Sequence, residues 1–230
     1  MNHDIVYILK NGTMTDEIKY SLRSVEKNFP FRSVWFYGGK PKGIEPDHYV
    51  AINQAGETKW QKVNNTLRLI CRNDDITEDF WLFNDDFFVM DKVEGLEPVI
   101  LGTLAYRCQK IKARHKGSDS GYSIQLRKAM ATLKDFNLDR LDYAAHYPML
   151  INRARAIETL NRFTNPMFRS LYGNHHKIGG VVMKDCKIMD KESIPTDDMK
   201  FVSTSDNSWT GAVGLYIKER FNERSRFEVL

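Results

Sequence analysis

A chain of 230 residues, 42% of them apolar, is long enough to form one domain with a sizeable core, so folding needs no disulfide framework or structural metal. The balance of 34 Lys+Arg against 30 Asp+Glu leaves a net charge of +4, too small by itself to specify a nucleic-acid or membrane partner. Three scattered cysteines, Cys71, Cys108 and Cys186, lack Cys-x-x-Cys spacing, which argues against a zinc or disulfide framework and for a reducing compartment. No apolar run approaches the roughly 20 residues that span a bilayer. Asp4 interrupts the short apolar N-terminal run, so no secretory signal is expected. The expectation is a soluble cytoplasmic protein with no membrane span.

In chain order, Asp4 to Leu9 is β-branched and aromatic, a first buried strand, and Lys10-Asn11-Gly12-Thr13 is a turn. Thr15 is placed to cap a helix carrying Ile18, Leu22 and Val25 on one face and stopped by Pro30. Ser33 to Tyr37 is a second strand, closing a βαβ unit that implies parallel strands. A short strand over Tyr49 to Asn53 and a helix over Lys59 to Asn73 follow, the helix with Trp60, Val63, Leu67 and Ile70 on one face. Next comes Phe80-Trp81-Leu82-Phe83-Asn84-Asp85-Asp86-Phe87-Phe88, a short aromatic strand that meets two adjacent carboxylates. The order β-α-β-β-α-β is the first half of a doubly wound α/β domain. In such sheets ligands bind at the carboxyl ends of the strands, which is where Asn84, Asp85 and Asp86 fall. Their oxygens suit a hard divalent cation. Asn-Asp-Asp is equally good turn chemistry, and from residue types alone both assignments stand.

The second half is mixed. Leu101 to Cys108 is expected as a strand, Ser123 to Phe136 and Arg153 to Phe163 as helices, and Asp142 to Leu150 as an extended segment. Val181 to Ile188 is expected as one strand, Phe201 to Ser208 as a short strand running into a polar turn, and Trp209 to Phe221 as a final helix. Arg107 to Lys128 is the densest basic stretch, with Tyr106, Tyr122 and a Gly117-Ser118-Asp119-Ser120-Gly121 centre. A solvated charged face is its commoner meaning; phosphate contacts with aromatic stacking on a polyanion such as DNA are the sharper one.

Several blocks together resemble small GT-A-fold glycosyltransferases of bacteria and phages and, more distantly, Stealth-type sugar-phosphate transferases. They are Asp4-Ile-Val-Tyr-Ile-Leu-Lys-Asn-Gly12 with Leu22-Arg23-Ser24, the acidic Phe83-Asn84-Asp85-Asp86-Phe87-Phe88, and His146-Tyr147-Pro148-Met149. Ser203-Thr204-Ser205-Asp206, Gly211 to Gly214 and Ser225 to Glu228 complete the set. The acidic block is the most specific, although it reads Asn-Asp-Asp where the family pattern is Asp-x-Asp, which makes Asp86 the matching carboxylate ahead of Asp85. The resemblance implies a single GT-A-like, Rossmann-like α/β domain over residues 1–230, a mostly parallel sheet flanked by helices. Residues 1–90 would form the nucleotide-sugar-binding half and residues 91–230 the acceptor-binding half.

The same resemblance implies a nucleotide-sugar donor, a UDP-sugar first among them, with Mn2+ or Mg2+ at its diphosphate. Asp86, Asp85 and His146 would hold the metal, and Asn11, Gly12, Arg23, Lys59, Asn84, Asp85 and His146 would contact the donor. The acceptor would be a glycan or, as for some phage members, a hydroxymethylated base in DNA, in the host cytoplasm if phage-encoded. Transfer to a hydroxyl needs a base, for which Asp142, Asp206 and Asp119 are the candidates. Each has a plainer alternative: Asp206 as a helix cap, Arg23 in an ion pair with Glu26, Lys59 on a solvated face, His146 as a hydrogen-bonded core residue. His175 and His176 lie in an expected polar loop, where neighbours on an extended chain point apart and would not share one ion.

Overall fold

The computed structural model describes residues 2–12, 15–116, 118–165 and 167–229. Thr13 of the expected Lys10–Thr13 turn and Gly117 of the basic segment lie outside them. Strand β1 (Asp4–Leu9), helix α1 (Glu17–Asn28), strands β2 (Val34–Gly38) and β3 (His48–Val50), helix α2 (Lys59–Cys71) and strand β4 (Asp79–Phe83) follow the expected order. Next come β5 (Phe87–Val89), β6 (Val99–Ile100), α3 (Leu104–Arg114), α4 (Gly121–Asp135), β7 (Met149–Asn152) and α5 (Arg153–Arg162). The chain continues through α6 (Phe168–His175), β8 (Val181–Val182), β9 (Lys187–Ile188), β10 (Phe201–Thr204), α7 (Asp206–Trp209) and α8 (Ala212–Arg220).

The central sheet runs β3-β2-β1-β4-β7, with only β7 antiparallel. β1, β2 and most of β4 are buried on both faces, which is why they read as continuous apolar runs. Side-chain alternation divides the core in two. Ile5, Tyr7, Leu9 and Phe36 meet Ile18, Leu22 and Val25 of α1 on one face. Val6, Trp35, Tyr37, Phe80 and Leu82 meet Leu67 and Ile70 of α2 and Leu160 of α5 on the other. Burying each such side chain is worth roughly 1.5–3 kcal/mol. The chain is thus a single α/β domain with a mostly parallel sheet flanked by helices. A smaller sheet, β5-β10-β9, leans on the end of β4, and β6 pairs with β8. Among the described residues no helix is long and apolar enough to cross a membrane.

Five expectations change. Leu101 to Cys108 is not a strand: the Thr103 side chain accepts from the Tyr106 amide and starts α3, whose Leu104 and Ile111 lie on one helical face and are buried. The expected strand over Val181 to Ile188 splits into β8 and β9, because Val181–Val182 pairs with β6 and Lys187–Ile188 with β10. The final helix breaks after Trp209, where the Ala212 amide donates to the Lys191 carbonyl. Helix α6 replaces the expected loop around His175. At the start of α1 the cap position is Asp16, without a side-chain cap bond, and the Thr15 hydroxyl instead donates to Glu17.

Candidate active site

β4 ends at Phe83, and Asn84–Asp86 turn the chain into β5, closed by the Phe87 amide donating to the Asn84 carbonyl at 3.2 Å. The turn is pinned from α1: Ser21 Oγ donates to the Phe87 carbonyl at 2.6 Å, and the Val89 amide donates to Ser24 Oγ at 3.0 Å. Asp86 is 9% exposed. Its Oδ2 accepts from Lys187 Nζ and from Ser203 Oγ, both at 2.9 Å, whereas its Oδ1 is buried without a partner among the described residues. Asp85 is partly buried, and desolvation followed by the charges of Asp86 and Glu17 pushes its carboxyl up to about 6, against the pull of Lys187. Glu17 is raised for similar reasons, burial first and Asp86 and Asp206 after it, although its oxygens accept from Thr204 (2.5 Å) and Thr15 (2.6 Å). Three carboxylates therefore share the carboxyl edge of β1 and β4 with too little positive charge among them.

Beside the turn lies a cavity of about 230 Å3 lined by Trp60, Asn64, Phe83, Asn84, His146 and Arg169, among others. Arg169, the second residue of α6, donates through Nη1 to the carbonyls of Ala145 (3.1 Å) and Tyr147 (2.7 Å). Its Nη2 is buried without a partner, as is Asn64 Oδ1. Burial lowers the Arg169 pKa to about 10, with Asp86 resisting the change. Unpaired buried donors and acceptors are costly in a folded protein, and here three of them, on Asp86, Arg169 and Asn64, belong to this cavity and the adjoining turn.

His146 sits where this cavity meets a larger cleft of about 740 Å3. Its Nδ1 lies 3.0 and 2.9 Å from the two oxygens of Asp185, and its amide donates to the same carboxylate at 3.1 Å. An ionised carboxylate only accepts, so Nδ1 carries the proton, and in the neutral ring the lone pair lies on Nε2. Burial opposes the charge on Asp185, but hydrogen bonds from His146 and the Arg107 guanidinium hold its pKa below the ordinary value. Arg107 lies 3.4 Å from Asp185 and 3.7 Å from Asp142. Asp142 is fully buried, raised by that burial, and accepts the Ala144 amide through Oδ1 at 2.9 Å.

The expected residues therefore divide. Asn84, Asp85, Asp86 and His146 border the turn and its cavity, with Asp142 behind them through Arg107. Asn11 Nδ2 donates to the Ile52 carbonyl at 3.0 Å, and Gly12, at φ +98, borders a separate cleft with Lys19, Lys40 and Lys42. Arg23 is not available to a donor: it is buried, bidentate to Glu228 at 2.7 Å and bonded to the carbonyls of Phe221 and Asn222. Lys59 is exposed over the Trp60 ring and lines no cavity of the site. Asp119 is paired on the surface with Arg127 at 2.6 Å, well away from a base's role. Asp206 is exposed in the first turn of α7, and the cap there is Ser205. Asp85, Asp86 and His146 do not form a three-ligand group: among the described residues the one group whose ligand atoms lie within 4.8 Å of one another is Glu158, His175 and His176. Because α6 is a helix, those two imidazoles lie side by side, but Glu158 bonds His175 and the Arg155 carbonyl bonds His176.

Asp185, Arg169 and Lys187 went unrecognised in the sequence, and Ser203 entered it only within the Ser203-Thr204-Ser205-Asp206 block. A charge at Asp185 inside a stretch expected as one strand was the available signal; Arg169, in a stretch given no element, carried none. No protein-family model matches the chain, and no curated protein matches it in sequence.

Proposed function

We propose that the chain is a nucleotide-sugar-dependent glycosyltransferase, with the donor at the carboxyl edge of β1 and β4 and the acceptor hydroxyl beside His146. The observation that carries this is the buried Asp86 oxygen without a partner among the described residues, next to an Asp85 carboxyl pushed up to about 6, with the unpartnered Arg169 donor in the adjoining cavity. Mn2+ or Mg2+ fits these residues: a hard cation prefers carboxylate oxygens, and Asp86 Oδ1 with Asp85 would hold it. Bound there, it would supply positive charge to the departing nucleoside diphosphate. The chain's own groups do the remaining work. Arg169 and Lys187 add fixed positive charge near the phosphates. The Trp60 wall of the cavity excludes water from one side. His146 Nε2 accepts the proton of the acceptor hydroxyl, with Asp185 holding the ring in the required tautomer. The hydroxyl oxygen then bonds to the anomeric carbon as the bond from that carbon to the phosphate oxygen breaks.

A second assignment, transfer of the sugar with its phosphate as in Stealth-type enzymes, is favoured by one observation: Arg169, Lys187 and Arg107 surround the carboxylates with the fixed cations that a transferring phosphoryl group needs. In that case a phosphorus–oxygen bond of the diphosphate breaks. Mass spectrometry of products from a panel of nucleotide sugars and acceptors separates the two. Release of UDP from a UDP-sugar marks glycosyl transfer, and release of UMP marks sugar-phosphate transfer. No turnover and no thermal shift with any nucleotide sugar, with or without Mn2+, would exclude both.

A further inference from the structure

We infer that the acceptor is a chain carrying repeated phosphate charges, held in the cleft of about 740 Å3 that opens beyond His146. This names the acceptor class of the site just described and rests on the transferase assignment. His146 and Tyr122 belong to the walls of both cavities, so a molecule in the large cleft lies beside the imidazole that also borders the donor cavity. Cations dominate the cleft: Arg107, Lys110 and Arg114 from α3, and Lys184 and Lys187 from the opposite wall. Among the described residues its one carboxylate, Asp185, is already taken up by His146 and Arg107. Lys110, Arg114 and Lys184 have no ion-pair partner among the described residues, so a neutral acceptor would leave them uncompensated.

The arrangement along α3 selects a chain over a single headgroup. Arg107, Lys110 and Arg114 recur at helical spacing on one face, neighbours about 5–6 Å apart, so they form a row of positive charge. Guanidinium groups bind phosphate in a bidentate fashion. The exposed Tyr106 ring, with Lys110 Nζ at 5.3 Å, adds a flat contact at the cleft wall. Only part of the basic sequence segment faces the cleft: Lys112, Arg127 and Lys128 do not line it, and Lys184 and Lys187 come from outside the segment.

The test is equilibrium binding, by fluorescence anisotropy without any donor, of labelled polyphosphate and oligothymidylate, with inorganic phosphate and dextran as competitors. Both chains should bind and inorganic phosphate should compete far more weakly. Three phosphate contacts on a single strand should weaken binding roughly 20-fold between 50 and 200 mM salt. Substituting Lys110→Ala, Arg114→Ala and Lys184→Ala together should weaken binding at least tenfold. Removing the same charge at Lys92, Lys128 and Lys134 should change it less than twofold. Each single variant, checked by its melting curve, guards against a misfolded triple variant. Preference for oligothymidylate over polyphosphate assigns a nucleic-acid chain, and equal binding assigns any chain of repeated phosphate charge; both outcomes support the inference. Dextran competing as well as the anions, inorganic phosphate competing as well as the chains, or equal losses in the two triple variants would each overturn it. Binding of a nucleotide sugar, measured separately, reports on the transferase assignment. Chain binding without donor binding would leave the cleft's chemistry intact and remove its role as an acceptor site.

Discussion

Asp85→Asn should make the protein more stable at neutral pH. The fold raises this carboxyl from its ordinary 3.8 to about 6, through desolvation and the neighbouring charges of Asp86 and Glu17. A carboxyl with a raised folded-state pKa binds its proton more tightly in the fold than in the unfolded chain. Its contribution to stability is therefore fully present below pH 3.8 and is lost as pH rises through about 6. Between those limits the change amounts to roughly 3 kcal/mol. Solvent screening at a partly exposed side chain lowers the realised value to about 1–2 kcal/mol. Asparagine keeps the shape of the turn and removes the charge, so the variant should melt about 3–6 °C higher at pH 7.5, with the gain shrinking to near zero at pH 4. Differential scanning calorimetry at both pH values measures this. Equal or lower stability of Asp85→Asn at pH 7.5, or the same gain at both pH values, would refute the view that these carboxylates are held together at a cost for a positively charged ligand. Adding Mn2+ should stabilise the wild-type chain more than the variant, because the cation relieves the same repulsion.

Other outcomes follow from the same geometry. Burial resists the charge on Glu228, yet the hydrogen bonds and charge of Arg23 bring its pKa down to about 2 from 4.5. That pair should contribute roughly 3 kcal/mol above pH 4.5 and lose it as pH falls through about 2. Arg23→Ala should cost about 3–5 kcal/mol in urea denaturation, since it strands a buried charge; weakened donor binding with unchanged stability would instead return Arg23 to the ligand site. Asp185→Asn should lower kcat by roughly 100-fold or more, while donor Kd, measured by calorimetry, stays within twofold. Gly214→Ala should destabilise the fold by on the order of 3 kcal/mol in thermal melts, because a Cβ at that position would collide with the Trp209 carbonyl.

The first half of the fold was legible because β1, β2 and most of β4 are buried on both faces and its helices are amphipathic. Ile5, Tyr7 and Leu9 alternate with Val6 and Ile8, and Leu67 and Ile70 recur at helical spacing. Local signals failed where two elements share an apolar stretch. The segment from Leu101 to Cys108 has strand-like composition, and only the Thr103 cap marks a helix start. Asp86 was legible from its place at a strand end, but its partners were not: Lys187 lies 101 residues away and Ser203 lies 117 residues away. Arg23 is the converse case. Its position on α1 suggested the nucleotide side, and a partner 205 residues on, Glu228, took it instead. Contacts of that separation depend on the assembled sheet, for which no local pattern is diagnostic.

The most direct measurement is isothermal titration calorimetry of UDP-sugars against the wild-type chain and Asp86→Asn, each with and without Mn2+. Asp86 carries the buried unpartnered oxygen on which the metal and donor assignment depends. Binding of at least one UDP-sugar that strengthens tenfold or more with Mn2+, and loses that gain in Asp86→Asn, is the predicted result. Donor binding that ignores Mn2+, or an undiminished Mn2+ effect in Asp86→Asn, would contradict it.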